Sequence, residues 1–175
     1  MIFKAFKQKS NKKYLNKLLS NRHVNVNDSK LECLGIIINL DEEVDFERFK
    51  QFASYLNVHP NKLKIIAFSK SVQENLNTWD ACYTPKDFGW KGSILNVELE
   101  SFLNTKFDVL ISYYTEEVLE LKLLTTLSQS KLKIGILQTD ERLNDLIIKT
   151  NIKEFDVFKT EVFKYLTILN KIKNE

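Results

Sequence analysis

The chain has 175 residues, 43% of them hydrophobic and 28% charged, with only four glycines and two prolines. At this size folding buries roughly 70% of the unfolded surface, so the core needs no staple, and the composition argues against long disordered linkers. No apolar run reaches the ~20 residues of a membrane span, and two cysteines, Cys33 and Cys82, are too few for a disulfide framework and are expected to be reduced in a cytoplasmic protein.

The first 27 residues carry Lys4, Lys7, Lys9, Lys12, Lys13, Lys17 and Arg22 and no acid, whereas the remainder holds 19 basic and 23 acidic side chains. The N-terminal stretch lacks an uninterrupted apolar segment and a small-residue cleavage site, so it does not read as a secretory signal. Residues 10–21 read as a helix with Tyr14, Leu15, Leu18 and Leu19 on one face and lysines opposite. The organisation expected is a basic helical arm, 1–27, on one α/β domain, 28–175.

"CLGIIINL" (33–40) is apolar on both parities and rich in β-branched side chains, the pattern of a strand covered on both faces. "DEEVDFERFKQFASYLN" then switches to a helical period, with Phe49, Phe52, Ala53 and Leu56 on one face. "KLKIIAFS" (62–69) is a second strand, which makes a βαβ unit. Residues 70–93 lack a clear period. "ENLNTW" suits a short helix, "ACYT" a short edge strand stopped by Pro85, and "FGWKG" a turn. Residues 94–104 suit a helix capped by Asn96.

"FDVLISYY" (107–114) reads as a third strand, followed by a largely apolar helix that Thr115 is placed to cap. "KLKIGIL" (131–137) and "DLIIKT" (145–150) are two further strands. The seven residues between them are too few for a helical crossover, which predicts an antiparallel pair and hence a mixed sheet. A final helix spans about 156–172. The fold expected is α/β: a Rossmann-like, mostly parallel but mixed central sheet, helices on both faces and a basic N-terminal helix.

Ligands of open α/β sheets bind beyond the carboxyl ends of the strands. The first βα turn, "NLDEE", has no glycine, and no Walker A motif occurs. Asp41, Glu42 and Glu43 at one expected helix start, and Glu116 and Glu117 at another, oppose a phosphate at those termini. A dinucleotide or P-loop site is therefore not expected. His23 and His59 lie in separate segments with no partner at ligand spacing, and neither cysteine neighbours a histidine. No metal and no cofactor is expected.

Two groups of residues stay in play. Lys70 in "SKS", Tyr114 and Gln138 lie where the carboxyl edge would hold a small ligand. Lys4, Lys7, Lys12, Lys13, Lys17 and Arg22, with Trp79 and Trp90 of the aromatic "WDACYTPKDFGWKG" stretch, suit an anionic macromolecular partner, RNA or ribonucleoprotein. The arm also suits an anionic membrane surface, with Ile2, Phe3 and Phe6 inserted.

The segments "KYLNKLLSNR", "LGIIINL", "PKDFGWKG" and "FDVLISYYTEEVLELKLLTTLSQSKLKIGIL" resemble a bacterial family of small cytoplasmic α/β proteins of unknown function. The resemblance covers nearly the whole chain and implies no substrate or catalytic residue. Residues 107–135 also resemble a segment in the N-terminal half of heptosyltransferase-type glycosyltransferases. The chain lacks the second Rossmann-like half of those enzymes, so this likeness implies shared architecture. The function expected is a non-enzymatic binding or adaptor module. The alternatives are a small-ligand-binding or transferase-like enzyme and a peripheral membrane protein.

Overall fold

The computed structural model describes residues 2–42, 44–71, 82–136 and 140–172. Glu43, the "ENLNTW" segment with Trp79, and Gln138 lie outside the described residues. The β-branched apolar runs form strands β1 (Leu34–Asn39), β2 (Leu63–Phe68), β3 (Cys82–Tyr83), β4 (Phe107–Tyr113), β5 (Ser130–Ile136) and β6 (Leu146–Ile148). Their order is β3-β2-β1-β4-β5-β6, and every pairing is parallel. β1 and β4 are buried at every position, as strands covered on both faces must be.

Helices α1 (Ile2–Ser20), α2 (Phe46–Tyr55), α3 (Val97–Asn104), α4 (Leu119–Leu127) and α5 (Phe155–Ile168) provide that cover. Side chains alternate across the sheet. Leu34, Ile36, Ile38, Val109 and Ile111 pack with Phe49 and Phe52 of α2 and Phe155 and Phe158 of α5. Ile37, Leu110 and Tyr114 pack with Leu15 and Leu19 of α1, Leu99 and Phe102 of α3 and Leu121 and Leu124 of α4. Asn96 caps α3 as its position predicts, its Oδ1 accepting from the amides of Glu98 and Leu99.

The sheet is parallel throughout, which corrects the antiparallel pairing expected of the last two strands. Ile134 pairs with Leu146 and Ile136 with Ile148, so the chain returns by only two residue rises, ~7 Å, and steps sideways by ~4.8 Å. The connection between Ile136 and Leu146 is long enough for that without a helix, since extended chain spans ~3.3 Å per residue. Leu143, fully buried in the second core, holds the connection down, and the Asp145 amide donates to the Lys133 carbonyl at 2.8 Å. A parallel step needs a long crossover only when the paired strands are long, and β6 is three residues.

α1 starts at Ile2, eight residues before the helix start expected at residue 10. It is fixed by Leu15 and Leu19, each 4% exposed, a burial worth about 1.5–3 kcal/mol per side chain. Asn11, also buried, donates to the Gly89 carbonyl at 3.0 Å and accepts from the Gly92 amide at 2.9 Å. Lys7 donates to the Phe88 carbonyl at 2.7 Å. Gly92 has φ +71°, and a β-carbon there would sit 2.5 Å from the Tyr14 ring. The "FGWKG" turn is thus shaped to receive this helix.

Candidate functional site

In this strand order the topological switch falls between β1 and β4, and the crevice outside their carboxyl ends is where such sheets take ligands. The chain fills that place with its own carboxylates. Asp41 and Glu42 lie in a short 3-10 turn directly after β1, not in the first turn of α2, which begins at Phe46 with Asp45 as its cap. Asp41 reaches toward β2: it accepts from the Ser69 hydroxyl at 2.6 Å and the Lys70 amide at 2.9 Å. Glu42 reaches toward β4: it accepts from the Thr115 amide at 2.9 Å and from the Thr115 hydroxyl. Asn39 holds the Glu42 carboxylate from behind at 3.0 Å.

Thr115 is therefore not the cap of the following helix. α4 begins four residues later, after Val118, with no side-chain cap. Glu116 and Glu117 lie ahead of it and pair with Lys70, at 2.5 Å, and with Lys122. Asp41 and Glu42 act here through hydrogen bonds and not at a helix start. They occupy the amides and hydroxyls at the strand ends, the same donors an anionic ligand would use.

Three hollows flank this tied edge. One, about 850 Å³, opens between α1 and the loops after β2 and β4, and its walls mix Lys4, Lys9, Lys12, Lys70 and Lys122 with Glu116, Glu117, Glu120 and Asp140. It continues into a second of about 460 Å³ bounded by Lys4, Lys7, Lys70 and Lys86. On the opposite face another hollow of about 460 Å³ lies between the amino ends of α2 and α5, with Glu42, Arg48, Tyr113, Lys153 and Phe155 around it.

Of the small-ligand residues, Lys70 is exposed at the first hollow and paired with Glu116. Tyr114 is 1% exposed in the second core, its hydroxyl 2.8 Å from that of Thr125. Burial holds the phenol well above its ordinary pKa. Tyr113, on the other face of the sheet, is equally buried; its hydroxyl donates to the Ile152 carbonyl at 2.6 Å, and burial pushes it up to about 12.

Of the partner residues, Lys4, Lys12, Lys13 and Lys17 project from α1 into solvent, as does Lys9. Among the described residues no ion pair engages them. Lys7 is half-buried on the Phe88 carbonyl, and Lys4 and Lys7 meet Lys70 and Lys86 across the second hollow. Trp90 is half-exposed, one residue from the Gly89 carbonyl that Asn11 holds. Arg22 stands apart at the other end of α1, engaged by Asp145 and the Arg142 carbonyl.

Arg22 belongs instead to a set of cations absorbed at the amino edge of the sheet. Lys131 pairs with Asp108 at 2.8 Å, and Asp108 also accepts from the Glu32 and Cys33 amides. Burial pushes this carboxyl up, but Lys131 and the two amides outweigh it and hold it below the usual range. Lys133 donates to the Thr125 and Thr126 carbonyls at the end of α4, and burial, then the nearby Arg22, lowers it to about 8. Lys171, 1% exposed, donates to the carbonyls of Asn27 and Ser29.

The sequence reading missed Asn11 as an anchor and the cross-strand role of Asp41 and Glu42. For Asn11 a signal exists: it falls between Lys7 and Leu15 on the face that carries Tyr14 and Leu18. Nothing local marks Glu42, because its partner is 73 positions away. Among the described residues no helix is long and apolar enough to cross a membrane, and no three His, Cys, Asp or Glu side chains gather as a metal site. Searches of curated proteins and of solved structures found no match. Residues 7–169 match the model of a family of unknown function, DUF6913, from α1 through α5, and the chain belongs to that family.

Proposed function

We propose that the protein is a non-enzymatic binding module that engages an anionic polymer, RNA, on the exposed lysines of α1 and the smaller hollow bounded by Lys4, Lys7, Lys70 and Lys86. One observation carries this reading. α1 is held rigidly by Asn11, Leu15 and Leu19 while Lys4, Lys9, Lys12, Lys13 and Lys17 stay exposed. The donors at the sheet's carboxyl edge, by contrast, are consumed by Asp41 and Glu42. A fixed row of ammonium groups loses little freedom on meeting phosphates and releases their counterions. A helix lying in a bilayer needs an apolar face along its length, and from Asn11 onward that face of α1 is spent on the core, which leaves Ile2, Phe3 and Phe6 exposed at one end. This favours a polymer over a membrane.

The test is binding of the full chain to fluorescently labelled RNA as salt is raised. With about four phosphates neutralised on a single strand, affinity falls roughly 50-fold between ~50 and ~200 mM salt. The variant with Lys4, Lys9, Lys12, Lys13 and Lys17 all changed to Gln loses most of the affinity and of the slope. Salt-independent binding, or full affinity in that variant, sinks the reading.

A second reading has its own support in the hollow between α2 and α5. It lies at the β1–β4 switch and combines Arg48 and Lys153 with Glu42 and Asp45, a mixture suited to a small zwitterion. Soaking with amino-acid-like compounds, read by shifts of the Tyr113 and Phe155 resonances, decides it. No shift at Tyr113 removes this alternative.

A further inference from the structure

The ridge of α1 carries more than charge. Among the described residues the exposed large aromatics are Phe3 (81%), Phe6 (58%), Tyr55 (53%) and Trp90 (49%). Three of these four lie on the amino-terminal part of α1 and on the turn that α1 holds. Phe3 lies a helical turn ahead of Lys7, whose ammonium grips the Phe88 carbonyl, and Trp90 follows Gly89, whose carbonyl is held by Asn11. At 1.5 Å per residue, Phe3 stands about 12 Å along α1 from the level of Asn11, and Phe6 falls between. Lys4, Lys9, Lys86 and Lys91 are exposed on the same segments. Aromatic faces interleaved with cations are what single-stranded nucleic acid requires, since unpaired bases stack on rings while ammonium groups follow the phosphates. A duplex offers phosphates but no base faces to stack on.

We infer that the strip from Phe3 to Trp90 selects single-stranded over duplex RNA, with Phe3, Phe6 and Trp90 as stacking platforms for unpaired bases. This rests on the proposed function and names the form of RNA. Isolated exposed apolar side chains are ordinary. What distinguishes these is that they are rings set among exposed lysines, with no acid in α1.

The experiment compares a short unstructured RNA oligonucleotide with the duplex it makes with its complement, by fluorescence anisotropy on the full chain. The single strand is expected to bind at least about tenfold more tightly, given roughly 5- to 150-fold per stacked base. In a Trp79→Phe background the emission of Trp90 quenches on adding the single strand and not the duplex. Phe3→Leu with Phe6→Leu keeps apolar bulk but removes the rings; it loses tenfold or more for the single strand only, and Phe3→Tyr with Phe6→Tyr restores it. Circular dichroism confirms that each variant keeps its fold. Equal affinity for the two forms, or leucine variants that bind like the parent, overturns the inference while leaving the lysine reading intact. No RNA binding at all, with capture instead on phosphatidylcholine vesicles containing phosphatidylserine, overturns both.

Discussion

The amino edge of the sheet and the outer ridge of α1 are built from the same residue type and use it in opposite ways. At the amino edge Lys131, Lys133 and Lys171 are turned inward onto carbonyls and a carboxylate; Lys131 and Lys171 join segments far apart in sequence, and Lys133 ties β5 to the end of α4. On α1, Lys7 finds the Phe88 carbonyl, but Lys4, Lys9, Lys12, Lys13 and Lys17 stay exposed. The difference is the partner supply. Parallel strands and the ends of α4 and α5 present carbonyls that need donors, whereas the flank of a helix has none to offer, because its backbone is satisfied internally. A lysine count alone therefore says nothing about which cations remain for a partner.

The sharpest way to break this comparison is at Lys171. Replacing it with alanine leaves the Asn27 and Ser29 carbonyls without their donor and opens a void under the segment that leads into β1. A loss of about 2–4 kcal/mol is expected in urea unfolding. A loss below about 1 kcal/mol means that the amino edge does not depend on its buried cations.

Lys133 sharpens the same point through pH. Its folded pKa, about 8, lies below the ~10.4 of an unfolded lysine. Between these values the unfolded chain holds a proton that the folded chain has released, so stability rises with pH across that window. Below pH ~8 both states are protonated and the folded state carries the full cost, about 3 kcal/mol at most. Urea midpoints measured from pH ~7 to ~10.5 should climb in the parent and stay flat in Lys133→Met. A parallel climb in both assigns the titration to another group.

These effects explain what the sequence could and could not disclose. The runs that became β1, β2, β4 and β5 were legible because burial on both faces leaves an unbroken apolar signature, and α5 because its period is regular. Thr115 misled because a hydroxyl followed by two glutamates is locally identical whether it caps a helix or receives Glu42 from another loop. β6 misled because crossover length reports on strand length as much as on direction. Arg22 counted as part of the basic arm, yet it is spent on Asp145, 123 positions away. In each case the missing information is a long-range partner, which composition and period do not carry.

The carboxyl edge offers a smaller but more specific effect. Glu42→Ala removes the acceptor of the Thr115 amide and hydroxyl and should cost about 1–3 kcal/mol. It also frees those donors at the switch between β1 and β4. The variant is then expected to be stabilised by added phosphate, seen as a rise in melting temperature that the parent lacks. If parent and variant respond alike, Glu42 is not what keeps anions out.

The smallest stability effect belongs to α1, and it is the one on which the contrast depends. Among the described residues Lys4, Lys9, Lys12, Lys13 and Lys17 form no ion pair, and all five are exposed while the anchors Asn11, Leu15 and Leu19 are buried. Each Lys→Gln change should therefore leave the urea midpoint within about 0.5 kcal/mol of the parent, while together they abolish the salt-dependent binding of RNA. Glutamine keeps helix propensity close to that of lysine, so any loss of affinity reports on charge rather than on unwinding. Should the substitutions destabilise the fold as much as Lys171→Ala does, the ridge would be holding the protein together, and its lysines would be no more available to a partner than those of the amino edge.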